Sequence, residues 1–287
     1  MAACEDIAKI NNNIIVIVDN GSSEATVAAL RAWCDTLSPG SVRLILNEGN
    51  EGFAAGMNRG IRHCRELHSI DYYWLLNNDL RVEPDALGVL LDASERSPET
   101  VLWGPTVMSE KNERIECAGG CRYYPSIGYF RAAHAGRSRC ELARLPEPRI
   151  DYIYGAAMFV RGDFLARSGD LDEAYFLYYE ELALAGRLLP GEKMGWCREA
   201  FVHHIGAGSS VIAGVEQFKT RQATLSALRY TRDHHPWFLL SVCLARLVGL
   251  SIRGLMNRNP TLPVPAFEAM VAFFSKRDQR PWSGIRR

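Results

Sequence analysis

Asn77-Asn78-Asp79 follows directly on the aromatic and aliphatic run Tyr72-Tyr73-Trp74-Leu75-Leu76. The carboxylate of Asp79 is a hard oxygen ligand suited to Mg2+ or Mn2+, and the two amides can hydrogen-bond sugar or phosphate oxygens. Read alone, the tripeptide is equally a strand running into an Asn-rich turn. A second set, Asp19-Asn20-Gly21-Ser22-Ser23, ends an apolar run at 14–18. It brings a carboxylate and backbone N–H groups to the start of a helix that Ser22 or Ser23 can cap. Glu180 and Glu181 follow an aromatic cluster, and His203-His204 close a run at 194–202. Each also has a plain structural reading: a capping loop for Asp19, a solvated helix face for the glutamates, a packed ring for His203. Taken together, a metal-binding carboxylate, a separate carboxylate base and a nucleotide-binding first loop are the parts of a metal-assisted group transfer from a nucleotide-linked donor. In that scheme the base takes the proton of the attacking hydroxyl. Adjacent helical residues diverge by about 100°, so only one glutamate is expected in the cleft; Glu181 is the candidate base and Glu180 its alternative. Neither a G-x-S-x-G nor an H-E-x-x-H pattern occurs, so hydrolase signatures are missing.

The elements that must position these groups alternate. Apolar runs at 14–18, 42–46, 72–76, 101–108, 152–160 and 194–202 read as strands buried on both faces. Helices are expected at 24–37, across 53–67, at 84–96 behind Pro84, at 161–167, 174–189, 216–232 and 237–256. This order predicts an α/β domain with a mostly parallel, doubly wound sheet. Residues 114–130 read as a hairpin turning at Ala118-Gly119-Gly120, and 132–148 as an Arg-rich loop. Gly52, Gly56 and Gly60 let backbone approach a neighbouring helix or a ligand. Their segment is neither a Walker loop nor G-x-G-x-x-G.

Several of these motifs, in order, resemble the family 2 inverting glycosyltransferases of GT-A fold, within them the rhamnosyltransferase-like branch of bacterial polysaccharide assembly. Val18-Asp19-Asn20-Gly21-Ser22-Ser23 is similar to the family's first loop, and the segment from Asn50 through Gly52, Phe53 and Asn58 to Gly60 to its Asn-x-Gly-Phe-Ala-x-Gly-x-Asn-x-Gly stretch. Leu75-Leu76-Asn77-Asn78-Asp79 stands where the family has its Asp-x-Asp variant, Tyr154–Met158 and Leu171–Arg187 follow its acceptor side, and His204 with Ser209 resembles its late His-to-Ser motif. The resemblance covers about residues 14–232. It implies that Asp19, Asn20, Gly21, Ser22, Asn50, Gly52, Phe53, Asn58, Asn77 and Asn78 line a nucleotide-sugar site. It also implies that Asp79 and His204 hold Mg2+ or Mn2+, and that Glu181 is the base. The implied acceptor is a glycan or lipid-linked hydroxyl, and the implied location cytoplasmic, peripheral on the inner face of a membrane. Two positions depart from the pattern: Glu181 replaces the usual Asp base, and Ala183 replaces the second acid. These keep a non-catalytic nucleotide-binding or interaction protein as the alternative. A sugar nucleotidyltransferase of the same fold is disfavoured, because its N-terminal Gly-rich Arg/Lys loop is missing.

The 287 residues carry 33 basic and 33 acidic side chains, so no overall field points to nucleic acid. Eight cysteines without a C-x-x-C pair fit free thiols better than a disulfide framework or zinc site. Residues 1–10 hold acids and no apolar leader core. The expected division is a glycosyltransferase-like domain over 1–235 and a basic helical extension over 236–287. From Arg229 to Arg287 there are ten Lys/Arg against three Asp/Glu. Residues 237–256 are apolar, but Arg246 and Arg253 each cost roughly 2.5–3.5 kcal/mol near a bilayer centre, which cancels the gain of about 5 from ten apolar residues. A helix lying on a membrane or packed under the domain is therefore expected, with Arg246, Arg253 and Asn257 on one stripe and further basic residues at Lys276, Arg277 and Arg280. Finally, members of the family begin with a strand and helix ahead of the first loop, and only thirteen residues precede Ile14 here. This predicts an upstream start or a shortened chain, with a strand position left open between 14–18 and 73–76.

Overall fold

The structure, a computed structural model, describes residues 13–37, 42–67, 69–205 and 214–275. Strand β1 (Ile15–Asp19) leads through helix α1 (Glu24–Cys34) to β2 (Val42–Leu46), and the two strands pair in parallel, Ile15 opposite Val42. Ser23 caps α1, its hydroxyl accepting from Thr26 N. Helix α2 (Phe53–Leu67) lies on β1 where Gly60 meets Val18. Next come β3 (Tyr72–Leu76), β4 (Leu80–Val82), α3 (Ala86–Arg96), β5 (Thr100–Ser109) and β6 (Arg114–Ala118). Strands β7 (Gly120–Tyr124), β8 (Tyr129–Ala132) and β9 (Tyr152–Ile153) form a small antiparallel sheet. Then follow β10 (Ala157–Arg161), α4 (Gly162–Ser168), α5 (Glu180–Ala185), β11 (Lys193–His204), α6 (Val215–His234), α7 (Leu239–Met256) and α8 (Val264–Phe274).

The main sheet runs β3-β10-β5-β11-β4, with β6 beside β5. Its strands are apolar without alternation because both faces are covered. Tyr73, Leu75, Met158 and Val160 pack with Ile61 of α2 and Phe164 of α4. Tyr72 and Trp74 point the other way, stacking and edging on Phe159, whose cluster includes Leu90 of α3.

Four expectations change. The α/β class holds, but the sheet is mixed: β10 is antiparallel to both β3 and β5, and β4 is antiparallel to β11. β6 is also antiparallel to β5, as the short link between them requires, which leaves β5 and β11 as the parallel pair of this sheet. The run 152–160 splits between two sheets at Tyr154-Gly155-Ala156. The hairpin lies between β7 and β8; at Gly119 (φ 76°) the chain passes from the main sheet to the small one. The helix expected over 174–189 shrinks to α5, because Tyr178 (φ 66°) and Tyr179 (φ 78°) are left-handed and end any helix entering from upstream. Such a conformation costs about 1–2 kcal/mol per non-glycine residue. It is held by tertiary contacts: Tyr179 is buried and donates to Gly128 O, and Ser226 of α6 donates to Leu177 O.

Among the described residues β1 pairs only with β2 and β3 only with β10, so no ladder joins β1 to β3. Residues 1–10, Ser209, Lys276, Arg277 and Arg280 lie outside the described residues. Arg246 is not on an outer stripe with Arg253 and Asn257. It turns inward from α7 to donate to Thr224, where burial lowers its affinity for the proton, while Arg253 and Asn257 are exposed.

Candidate active site

The first loop and the α2 entry are tied to one another. Asp19, 6% exposed, accepts from Gly21 N at 3.2 Å and Ser22 N at 3.0 Å through Oδ2. Asn20 spends its amide on the second loop: Nδ2 donates to Gly52 O and Asn50 Oδ1, while Oδ1 accepts from Asn47 Nδ2 and Glu51 N. Gly21 requires its freedom, since at φ 86° a Cβ would lie 2.5 Å from the Gly49 carbonyl carbon. Gly21 and Ser22 remain exposed.

Three expected donor contacts serve the fold instead. Asn58 is fully buried; its amide donates to Leu171 O and Glu173 Oε1, and its oxygen accepts from Leu171 N. A helix-facing amide that satisfies a loop in this way has nothing left for a nucleotide. Gly52 and Phe53 dock on Phe176, whose carbonyl accepts from Phe53 N at 2.8 Å.

Asp79 sits where β4 begins. The antiparallel register of β4 and β11 sets His204 opposite Leu80, which brings the imidazole beside Asp79. His204 Nε2 is 3.1 Å from Asp79 Oδ2, and Nδ1 is 2.9 Å from both oxygens of Glu116 on β6. Glu116 in turn accepts from the Tyr154 hydroxyl at 2.6 Å. The bonds to Asp79 and Glu116 raise the His204 pKa to about 10, so the ring is an imidazolium at neutral pH. The same bond to His204 lowers Asp79; Glu116 is lowered too, its burial outweighed by the bonds from His204 and Tyr154. His204 thus bridges Asp79 and Glu116 through its two ring nitrogens. Asp79 Oδ1 is buried and has no partner. His203 points elsewhere, to Glu83, which also binds Arg139.

The two glutamates of α5 diverge as helical geometry requires. Glu180 is buried, with Oε2 lacking a partner, and burial together with its neighbour Glu181 pushes its pKa up. Glu181 is half-buried against Gly155, and burial raises its pKa to about 7. A Cβ at Gly155 would be 1.8 Å from Glu181 Oε1, so any side chain there must displace the carboxylate.

One short segment joins these groups. Tyr154 holds Glu116 of the histidine chain, Gly155 abuts Glu181, and Ala156 O accepts from Asn77 N at 2.9 Å. Asn77 is half-buried and Asn78 exposed beside them. Glu116 and the Tyr154 hydroxyl escaped sequence reasoning. Glu116 alternates with Ile115 and Cys117 and reads as the solvent face of a strand; its one signal is a lone acid between two apolar neighbours. Among the described residues no three His, Cys, Asp or Glu side chains converge as a ready-made cation site. Asp79, His204 and Glu116 are strung in a line.

Residues 4–135 match the profile described as Glycosyl transferase family 2. That stretch, a little under half of the chain, is similar to a family 2 glycosyltransferase domain. It is 26% identical over 192 residues to the low-salt glycan biosynthesis hexosyltransferase Agl10 of Haloferax volcanii, covering 64% of this chain and 57% of the relative. It is 27% identical over 201 residues to the N-acetylglucosaminyl-diphospho-decaprenol L-rhamnosyltransferase of Mycobacterium tuberculosis, covering 63% and 62%. The chain thus spans about three-fifths of the length of the curated relatives it matches. Among solved structures, the mannosyltransferase PcManGT of Pyrobaculum calidifontis, in complex with GDP-Man and Mn2+, aligns over 96% of this chain and 83% of its own. The TM-score is 0.51 at 14% identity. That likeness shows the fold, which is GT-A.

Proposed function

We propose that this chain is an inverting glycosyltransferase moving a sugar from a nucleoside-diphosphate donor to a hydroxyl of a glycan or lipid-linked acceptor, at the cytoplasmic face of a membrane. The observation that carries the reading is Glu181: a carboxylate with a pKa of about 7, facing Gly155 and joined through Tyr154 to the Asp79–His204–Glu116 chain. A base poised near neutrality is what proton abstraction from an alcohol needs. Glu181 takes the proton of the acceptor hydroxyl as its oxygen bonds the anomeric carbon. The bond from that carbon to the diphosphate breaks on the opposite side, which inverts the centre. Asp19, Asn20, Asn50, Gly21 and Ser22 form the rim of the nucleotide pocket, with the last two offering exposed backbone.

A divalent ion, Mg2+ or Mn2+, belongs with Asp79 on the strength of its buried, partnerless Oδ1. When bound, such an ion neutralises charge on a leaving diphosphate. His204 supplies positive charge from the chain itself, fixed between two carboxylates.

The test is release of nucleoside diphosphate from a panel of nucleotide sugars with Mn2+, with and without glycan acceptors. Glu181→Gln should abolish turnover and keep donor affinity. Donor binding without release in the parent protein would instead support a non-catalytic nucleotide-binding role.

A further inference from the structure

Helix α7 presents Trp237, Leu240, Leu244, Val248, Ile252 and Leu255 at spacings of three and four around its N-terminal turn and length. All are exposed, Trp237 at 93% and Leu240 at 81%. Helix α8 adds Val264, Phe267, Val271 and Phe274 with the same period. The opposite sides of both helices are already used: Cys243 of α7 and Met270 of α8 pack on Leu228 of α6. The stretch 236–256 is apolar enough to cross a bilayer, with a mean hydropathy of 1.7. Yet Arg246 is directed into the domain beside Tyr179 and Tyr123, so one side of the helix is committed to protein.

We infer that the α7–α8 face lies on an anionic bilayer and delivers the catalytic cleft to an acceptor anchored there. Charge complementarity selects this occupant. No Asp or Glu occurs between residues 234 and 267, and Arg258 stands exposed in the link between the two helices. Arg253 is exposed and pairs with Glu216 at 3.8 Å, and Glu268 is the one acid on α8. A tryptophan at the end of an apolar, basic-flanked helix is the pattern of an interfacial anchor. The face also continues toward the chemistry. Ser241 of α7 donates to Ser126 O at the tip of the β7–β8 hairpin, where Ile127 and Tyr129 are exposed. Gly128 of that tip accepts from Tyr179, and the exposed Tyr178 next to it stands two residues before Glu180. An apolar path thus runs from the lipid-facing helices to the start of the catalytic helix, fitting the lipid arm of an acceptor.

This rests on the glycosyltransferase reading for the acceptor, not for the membrane contact, and the experiment separates the two. Vesicles of equal parts phosphatidylglycerol and phosphatidylcholine are floated with the full chain at low and high salt, and donor-dependent diphosphate release is measured on the same samples. The parent should float at low salt and less at high salt. Trp237→Glu with Leu240→Glu and Leu244→Glu should cut the bound fraction about tenfold while diphosphate release in solution is kept. Leu67→Glu, exposed on α2 away from this face, should float like the parent. Flotation of the triple variant equal to the parent would overturn the inference. So would a parent that stays with the protein-only fraction, including one found as a dimer that the triple variant dissociates, which would make the face a contact between copies. Flotation without diphosphate release would leave the membrane face standing and remove the transfer reading.

Discussion

Replacing Gly155 with alanine tests the assignment of Glu181 without touching it. The backbone at 155 lies outside the left-handed region, so alanine adds no conformational strain there. Its methyl would stand 1.8 Å from Oε1, 2.7 Å from Cδ and 3.0 Å from Cγ of Glu181. Ordinary contact begins near 3.4 Å, so the carboxylate must retreat by 3.4 − 1.8 = 1.6 Å along that direction. A displacement of about 1 Å at a reacting group can cost roughly a hundredfold in rate. The expected loss in kcat is therefore at least about a hundredfold, or about 2.7 kcal/mol of barrier, with donor KM changed little. The displaced carboxylate also leaves its buried niche. The ascending limb of the pH–rate profile, expected at about 7 in the parent, should move toward the ordinary glutamate value of about 4.3. Adding Glu181→Asp, one methylene shorter, should restore part of the lost rate. Steady-state kinetics and calorimetric donor binding on the three proteins decide the matter. A Gly155→Ala enzyme with parental kcat, or one whose activity and melting temperature collapse together, would refute the reasoning.

Asp79→Asn should abolish Mn2+-dependent diphosphonucleotide binding by titration calorimetry and leave the melting temperature nearly unchanged; unaltered metal-dependent affinity would dismiss Asp79 as a ligand. Glu116→Gln removes one of the two anions holding His204, so the His204 pKa, followed by NMR, should fall below its parental value of about 10. Glu180 and Glu181 have raised folded-state pKa values, so the stability they contribute is present at low pH and is lost as pH rises, through about 7 for Glu181. Glu180→Gln removes its share of that loss and should raise the melting temperature more at pH 8 than at pH 6, whereas equal shifts at both would mean Glu180 stays neutral throughout.

The stretches of the candidate site built from consecutive residues were legible in the sequence as strand ends carrying polar groups. Asp19-Asn20-Gly21 and Asn77-Asn78-Asp79 each end a strand that announces itself by an unbroken apolar run, although Ile15–Val18 are only partly buried. Glu181 was readable because the preceding aromatic run had to be buried whatever its backbone. What sequence could not supply was anything set by register between distant strands. Glu116 meets His204 only because β6 and β11 flank β5, and no local pattern encodes that meeting. Asn58 misled for the related reason that a polar residue in a glycine-rich helix looks the same whether it faces a nucleotide or a buried loop. The left-handed Tyr178–Tyr179 step ran against intrinsic preference altogether, and tertiary contacts overrode it.

The Tyr154-Gly155-Ala156 bridge has a mechanical consequence. Its upstream end is stitched into the three-stranded sheet through β9 and its downstream end into the main sheet through β10. Two of the three touch the polar centres: Gly155 abuts Glu181 and Tyr154 donates to Glu116, the partner of the histidine. Any sliding of one sheet against the other must therefore carry both polar centres along with the bridge, leaving their spacing little changed. Drift in the two sheets over many substitutions can accumulate without opening the gap between base and charge cluster, provided these three positions stay small, aromatic and short as they are now.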